Sequence, residues 1–180
     1  MTRGEFITRA TVWIALSGYA AGASISLLFP NDLRWLGRAR LAWTVGCIAL
    51  VLHAASALDY YHHWSHLSAY LETARQTKEI FGLDWGGGLW INYGFITAWI
   101  IDTIWWWRGL PAFRSRPRML VAIWHAVFLF MVFNATVVFK SGTLRGLGLV
   151  LCLGLLVLLI RWHLTKGSLT ESPNRVLAEE

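Results

Sequence analysis

The string Asp59-Tyr60-Tyr61-His62-His63-Trp64-Ser65-His66 concentrates the residue types that do chemistry, and four of the chain's six histidines lie between His53 and His66. At 100° per residue, a continuous helix brings Asp59, His63 and His66 within about 60° of one another, with His62 at the edge of the same arc. Such a face offers one carboxylate and up to three imidazoles, a donor set that suits a transition metal such as Zn, Cu or Fe. The carboxylate can also orient a ligating histidine through its second ring nitrogen. Tyr70 falls on the same side and adds a phenol. Two other roles fit the same residues. An imidazole titrating near its ordinary pKa of about 6.5 can handle protons, and amphipathic His and Tyr side chains can simply anchor a helix junction at a headgroup boundary.

A second group of polar residues sits inside apolar runs, where ionisable side chains are costly and often mark function. Asp102 and His125 fall at similar depth on two successive runs, which predicts an intramembrane pair in which each offsets the other's desolvation. The alternative is a buried hydrogen bond that only fixes packing. His53, Tyr70, Asn92, Tyr93 and Asn134 are expected to share an outer region and form a polar pocket beneath the histidines. Haem fits less well than a metal ion, because Met131 is the single candidate ligand opposite His53. Cys47 and Cys152 fall at different depths and are expected to remain unpaired.

The elements that must position these residues follow from composition. Of 180 residues, 56% are hydrophobic and 14% charged, mean hydropathy is +0.49, and there are 12 Trp. A soluble domain carries about 25% charge, so the chain belongs in a lipid bilayer. Nucleic-acid binding is excluded despite a net charge of +6, because the basic residues form short clusters between apolar runs. Runs of about 17–25 apolar residues are needed to cross the hydrocarbon core, and five are found at 11–29, 41–61, 89–107, 119–139 and 146–162. Residues 1–10 carry the charge of a signal n-region and Ala21-Gly22-Ala23 could be cleaved, but the apolar run continues far enough to span. The predicted fold is all-α: a polytopic integral membrane helical bundle of about five transmembrane helices, forming a single membrane domain over 1–164. A flexible polar tail is expected at 165–180.

Within the first run, Gly18, Gly22 and Ser26 make a small-residue face for close helix approach. Between the second and third runs, apolar residues at 67, 70, 71, 74 and 81 have helical spacing, predicting an interfacial amphipathic helix over 64–81. Gly82 is placed to end it, and Glu72, Arg75 and Glu79 can pair along its polar face. Gly86-Gly87-Gly88 then gives the chain freedom to re-enter the membrane. Tryptophans 35, 43, 105, 106, 107 and 162 are expected to ring the inner interface, and 13, 64, 85 and 90 the outer one. Ten of the 16 Lys and Arg residues fall on one side of a five-span topology. That predicts an inner-membrane, multi-pass protein with its N-terminus outside and its C-terminus cytoplasmic. The basic loop 113–118 is then expected to contact anionic lipid headgroups.

His62-His63-Trp64-Ser65-His66 resembles one histidine box of the membrane di-iron desaturases and hydroxylases. Those enzymes use several boxes facing the cytoplasm, whereas this chain has one and the charge count presents it outside. Three functions remain: a membrane protein with a His/Asp-rich outer site for a metal or redox cofactor, an accessory or assembly subunit of a larger membrane complex or homo-oligomer, and a proton or small-solute transporter. Whether the chain is an enzyme is left open by the residues themselves.

Overall fold

The computed structural model describes the backbone of residues 2–171 and the side chains of residues 2–165. Among these residues there is no strand. Seven α-helices follow one another: α1 (Arg3–Leu28), α2 (Leu33–His62), α3 (His66–Phe81), α4 (Gly88–Trp107), α5 (Leu110–Arg114), α6 (Arg118–Phe133) and α7 (Gly142–Glu171). A π turn, Asn134–Val138, prolongs α6. Of the tail expected over 165–180, residues 165–171 fall within α7 and the rest lie outside the described residues.

Among the described residues, four segments are long and apolar enough to cross a membrane: Arg3–Leu28, Leu33–His62, Arg118–Val138 and Gly142–Thr165. The expected third span, α4, is not among them. The reason lies in its residues, since Trp90, Trp99, Trp105, Trp106 and Trp107, together with Asn92, Tyr93 and Asp102, replace the aliphatic side chains that carry hydropathy.

Local signals set the helix ends. Pro30-Asn31-Asp32 breaks the chain after α1, and the Asp32 carboxylate accepts from the backbone N–H groups of Arg34 (2.8 Å) and Trp35 (3.2 Å), capping α2. Ser65 caps α3 by accepting from Ser68 N at 3.2 Å. Gly82, at φ 73°, closes it with its N–H on the Lys78 carbonyl, the left-handed stop that favours glycine.

The chain divides into two compact units, Met1–Tyr19 with Arg40–Gly109, and Ala20–Ala39 with Leu110–Glu180. In the first, α1 meets α2 closely. A Cβ added at Gly18 would lie 2.6 Å from the Gly46 Cα and 2.7 Å from the Ala42 carbonyl, so the expected small-residue face is a real point of backbone approach. Around it the core is aromatic: Trp43 stands 5.7 Å from Tyr19, 5.6 Å from Trp99 and 5.6 Å from Trp106, ring centre to ring centre. Trp43 and Trp106 are therefore packed inside the unit rather than ringing an interface, at 2% and 1% exposure. Large flat rings fill the space that four-carbon side chains cannot, and tilted pairs of this kind are favourable beyond the area they bury.

α4 runs antiparallel to α2 along this core. At one end Tyr93 of α4 reaches His66, just past the C-terminus of α2; at the other the Trp107 indole donates to the Thr44 hydroxyl at 2.9 Å, and Arg40 stacks over the Trp107 ring at 4.1 Å. The glycines at 86–88 pack rather than flex. Gly86 is buried, and a Cβ there would run into the carbonyl and ring of Tyr70.

In the second unit α6 and α7 form an antiparallel hairpin turned at Gly142 (φ 64°). Gly148 of α7 lies against Thr136 too closely for any Cβ, and Phe128, Val132, Val137 and Leu155 are buried. Side chains add bonds to backbone carbonyls along the π turn and the turn before it. Asn134 Nδ2 donates to Phe130 O (2.8 Å), Thr136 Oγ1 to Val132 O (2.7 Å), and Arg145 Nε to Val137 O (2.9 Å).

Candidate functional site

The shared face of Asp59, His63 and His66 requires a continuous helix, and the helix is broken. α2 ends at His62, then His63 (φ 47°) and Trp64 (φ 61°) take left-handed conformations before Ser65 starts α3. Two consecutive bulky residues at positive φ reverse the chain, a conformation costing roughly 1–2 kcal/mol per residue for L-amino acids. Backbone bonds secure the reversal: Trp64 N donates to Leu58 O at 2.9 Å and Ser65 N to His62 O at 2.8 Å.

Each polar group then finds its own partner. The Trp64 indole donates to Asp59 Oδ1 at 2.9 Å, closing the turn back onto α2. His62 Nδ1 meets the Ser68 hydroxyl at 3.2 Å, and His66 Nδ1 meets the Tyr93 hydroxyl at 2.9 Å with the rings edge to face. His63 is exposed. The donor set His62, His63, His66 and Asp59 is therefore dispersed, and no group of three or more metal-ligating side chains converges among the described residues. The residues as placed do not fit a metal ion. The break carries no signature in the sequence, since neither His63 nor Trp64 is a glycine or proline.

Within the first unit, the residues expected in a polar pocket make separate contacts. His53 Nδ1 bonds the Thr8 carbonyl of α1 at 2.9 Å, beside a contact of Thr8 Oγ1 with Ser56 Oγ at 3.4 Å. Tyr70 lays its ring on Gly86, Asn92 is exposed, Tyr93 binds His66, and Asn134 serves its own helix. Asp102 is buried in the first unit near Cys47, and His125 is buried in the second. Both cysteines are free thiols, as expected.

The polar face of α3 forms as its spacing predicts. Arg75 bridges Glu72 at 2.6 Å and Glu79 at 2.5 Å, Gln76 donates to Glu72 at 2.8 Å, and Lys78 reaches Asp84 at 2.9 Å. The Arg75 guanidinium, helped by Gln76, holds the Glu72 carboxyl down at about 2, and Glu72 in turn raises Arg75.

A site that the sequence reading passed over lies in the second unit. The α1–α2 turn, α5, the start of α6 and Trp162 of α7 enclose a cleft of about 40 Å³ lined by Ser26, Arg114, Arg116 and His125 among apolar side chains. Arg114 Nη2 donates to Asn31 Oδ1 at 3.1 Å, and Arg116 stacks over Phe113 at 4.5 Å. The signal was present as the basic loop 113–118, but only the fold brings His125 and Ser26 to it. Comparison with family models, with curated proteins and with solved structures finds no match to this chain.

Proposed function

We propose that the chain is a five-crossing inner-membrane protein acting as an accessory subunit of a larger membrane assembly, with its histidine cluster serving as a structural junction. The observation that carries this reading is the left-handed turn at His63 and Trp64, which disperses the would-be ligands and gives Asp59, His62 and His66 partners that tie α2, α3 and α4 together. What the protein turns outward is mostly apolar helix, and only 11% of the α7 window is buried. A fifth crossing by α4 is supported by its register against α2: a 20-residue helix anchored to α2 near Thr44 and past its far end through His66 covers the same length as its neighbour. The excess of Lys and Arg around the α1–α2 turn and the α4–α6 connection supports a cytoplasmic location for those loops and the C-terminus.

The test pairs two measurements on protein purified in mild detergent. Elemental analysis with an optical spectrum is expected to give a metal-free, colourless protein, and native gel electrophoresis of solubilised membranes is expected to place it in a complex larger than its own mass. About one equivalent of metal that is lost in His63→Ala and His66→Ala would overturn the structural reading and restore the metal or redox site.

A further inference from the structure

We infer that the cleft of the second unit is a binding site for a phosphate-bearing anion, with Arg114 and Arg116 as its recognition groups. This site is independent of the role proposed above. Arg114 is held in place through one N–H on Asn31, which leaves the remaining donors of its planar fork to face a ligand. Arg116 is oriented by stacking on Phe113, and its side chain lines the same cleft. His125, 8% exposed, and Ser26, 9% exposed, add an imidazole and a hydroxyl at the floor. No acidic residue is found among the side chains lining the cleft. The nearby Asp32 carboxylate is engaged on the backbone of α2.

Two further features match phosphate chemistry. α6 begins at Arg118 with no side-chain cap from Pro117, and Val121 of its first turn lines the cleft, so the start of this helix, where anions are favoured, borders the site. The volume exceeds the ~10–15 Å³ that one water needs, and Leu27, Val121 and Trp162 make one wall apolar. A guanidinium pair beside an apolar wall at a helix-bundle end recognises a phosphate that carries a hydrophobic substituent or a bare phosphate. The sources are an anionic phospholipid headgroup and a soluble phosphate.

The experiment titrates delipidated full-length protein in neutral detergent with dioleoylphosphatidylglycerol, dioleoylphosphatidylcholine or sodium phosphate, counting bound molecules by native mass spectrometry. Wild type is expected to retain phosphatidylglycerol over phosphatidylcholine, and Arg114→Gln with Arg116→Gln to weaken it about tenfold or more, the loss expected for a charge-assisted contact. Arg161→Gln, an exposed basic neighbour outside the cleft, is expected to bind as wild type does. Should the double Gln variant fail to fold, Arg114→Gln alone and the Arg114→Lys, Arg116→Lys pair carry the same comparison. Sodium phosphate displacing the lipid, or binding in its place with the same Arg dependence, assigns the site to soluble phosphate. Equal phosphatidylglycerol retention by wild type and the Arg variants, or equal losses from Arg161→Gln, overturns the proposal.

Discussion

His66 Nδ1 and the Tyr93 hydroxyl meet at 2.9 Å, joining the first residue of α3 to the second turn of α4 across the Gly86-Gly87-Gly88 connection. This bond holds the start of α4 close to the end of α2. A double-mutant cycle with His66→Phe and Tyr93→Phe is expected to show a coupling of about 0.5–1.5 kcal/mol for a neutral hydrogen bond. Unfolding in detergent–denaturant mixtures reads it; additive losses would assign α4's position to packing alone.

The left-handed turn makes an unusual forecast at His63. His63→Ala and His63→Gly both remove the imidazole, yet only glycine relieves the positive φ. The glycine variant is expected to be the more stable by about 1 kcal/mol. A protein that depended on the His63 ring as a ligand would lose stability equally with either substitution.

Gly18 tolerates no side chain. A Cβ there would meet Gly46 and the Ala42 carbonyl, which are backbone and cannot rotate away. Gly18→Val is expected to cost about 1–3 kcal/mol or to abolish accumulation of the protein, whereas the same change at Gly37, which has open space beside it, is expected to be nearly silent. Thermal melts of the two variants make the comparison.

Arg145 ties the first turn of α7 to the Val137 carbonyl of the π turn. Replacing it with Met leaves that carbonyl without its charged donor, a loss of about 1–3 kcal/mol. The effect should localise: amide exchange is expected to accelerate over 134–145 and to stay unchanged in α3.

The pH response of α3 follows from Glu72. Its carboxyl is lowered to about 2, chiefly by the Arg75 hydrogen bonds, so its contribution is fully present above the ordinary 4.5 and is lost as pH falls toward 2. Carbon-detected NMR titration is expected to place Glu72 well below the ordinary carboxylate range. Glu72→Gln should flatten the acid dependence of α3, and the small size expected of an exposed pair makes chemical shift a better readout than melting.

Much of the architecture was legible because it rests on local signals. Gly82 ends α3 through its lack of a side chain, and Glu72, Arg75 and Glu79 pair at fixed spacing along one face. The candidate site was not legible, because its geometry depends on two residues, His63 and Trp64, whose types favour ordinary helix or strand conformations. Bonds back to the last turns of α2 hold them there, from the Trp64 indole to Asp59 and from Trp64 N to Leu58 O. The tryptophans misled for a similar reason: residue type places Trp at an interface, but Trp43 and Trp106 pack with Tyr19 and Trp99. Arg114 and Arg116 stood out as charge, while Ser26 and His125, distant in sequence, could join them only through the fold.

The aromatic stack around Trp43 gives the first unit a built-in reporter. Its neighbouring indoles sit 5.6 Å away in a tilted arrangement, close enough for their excited states to couple. Near-ultraviolet circular dichroism should therefore carry an exciton signature of folding that collapses in Trp43→Leu.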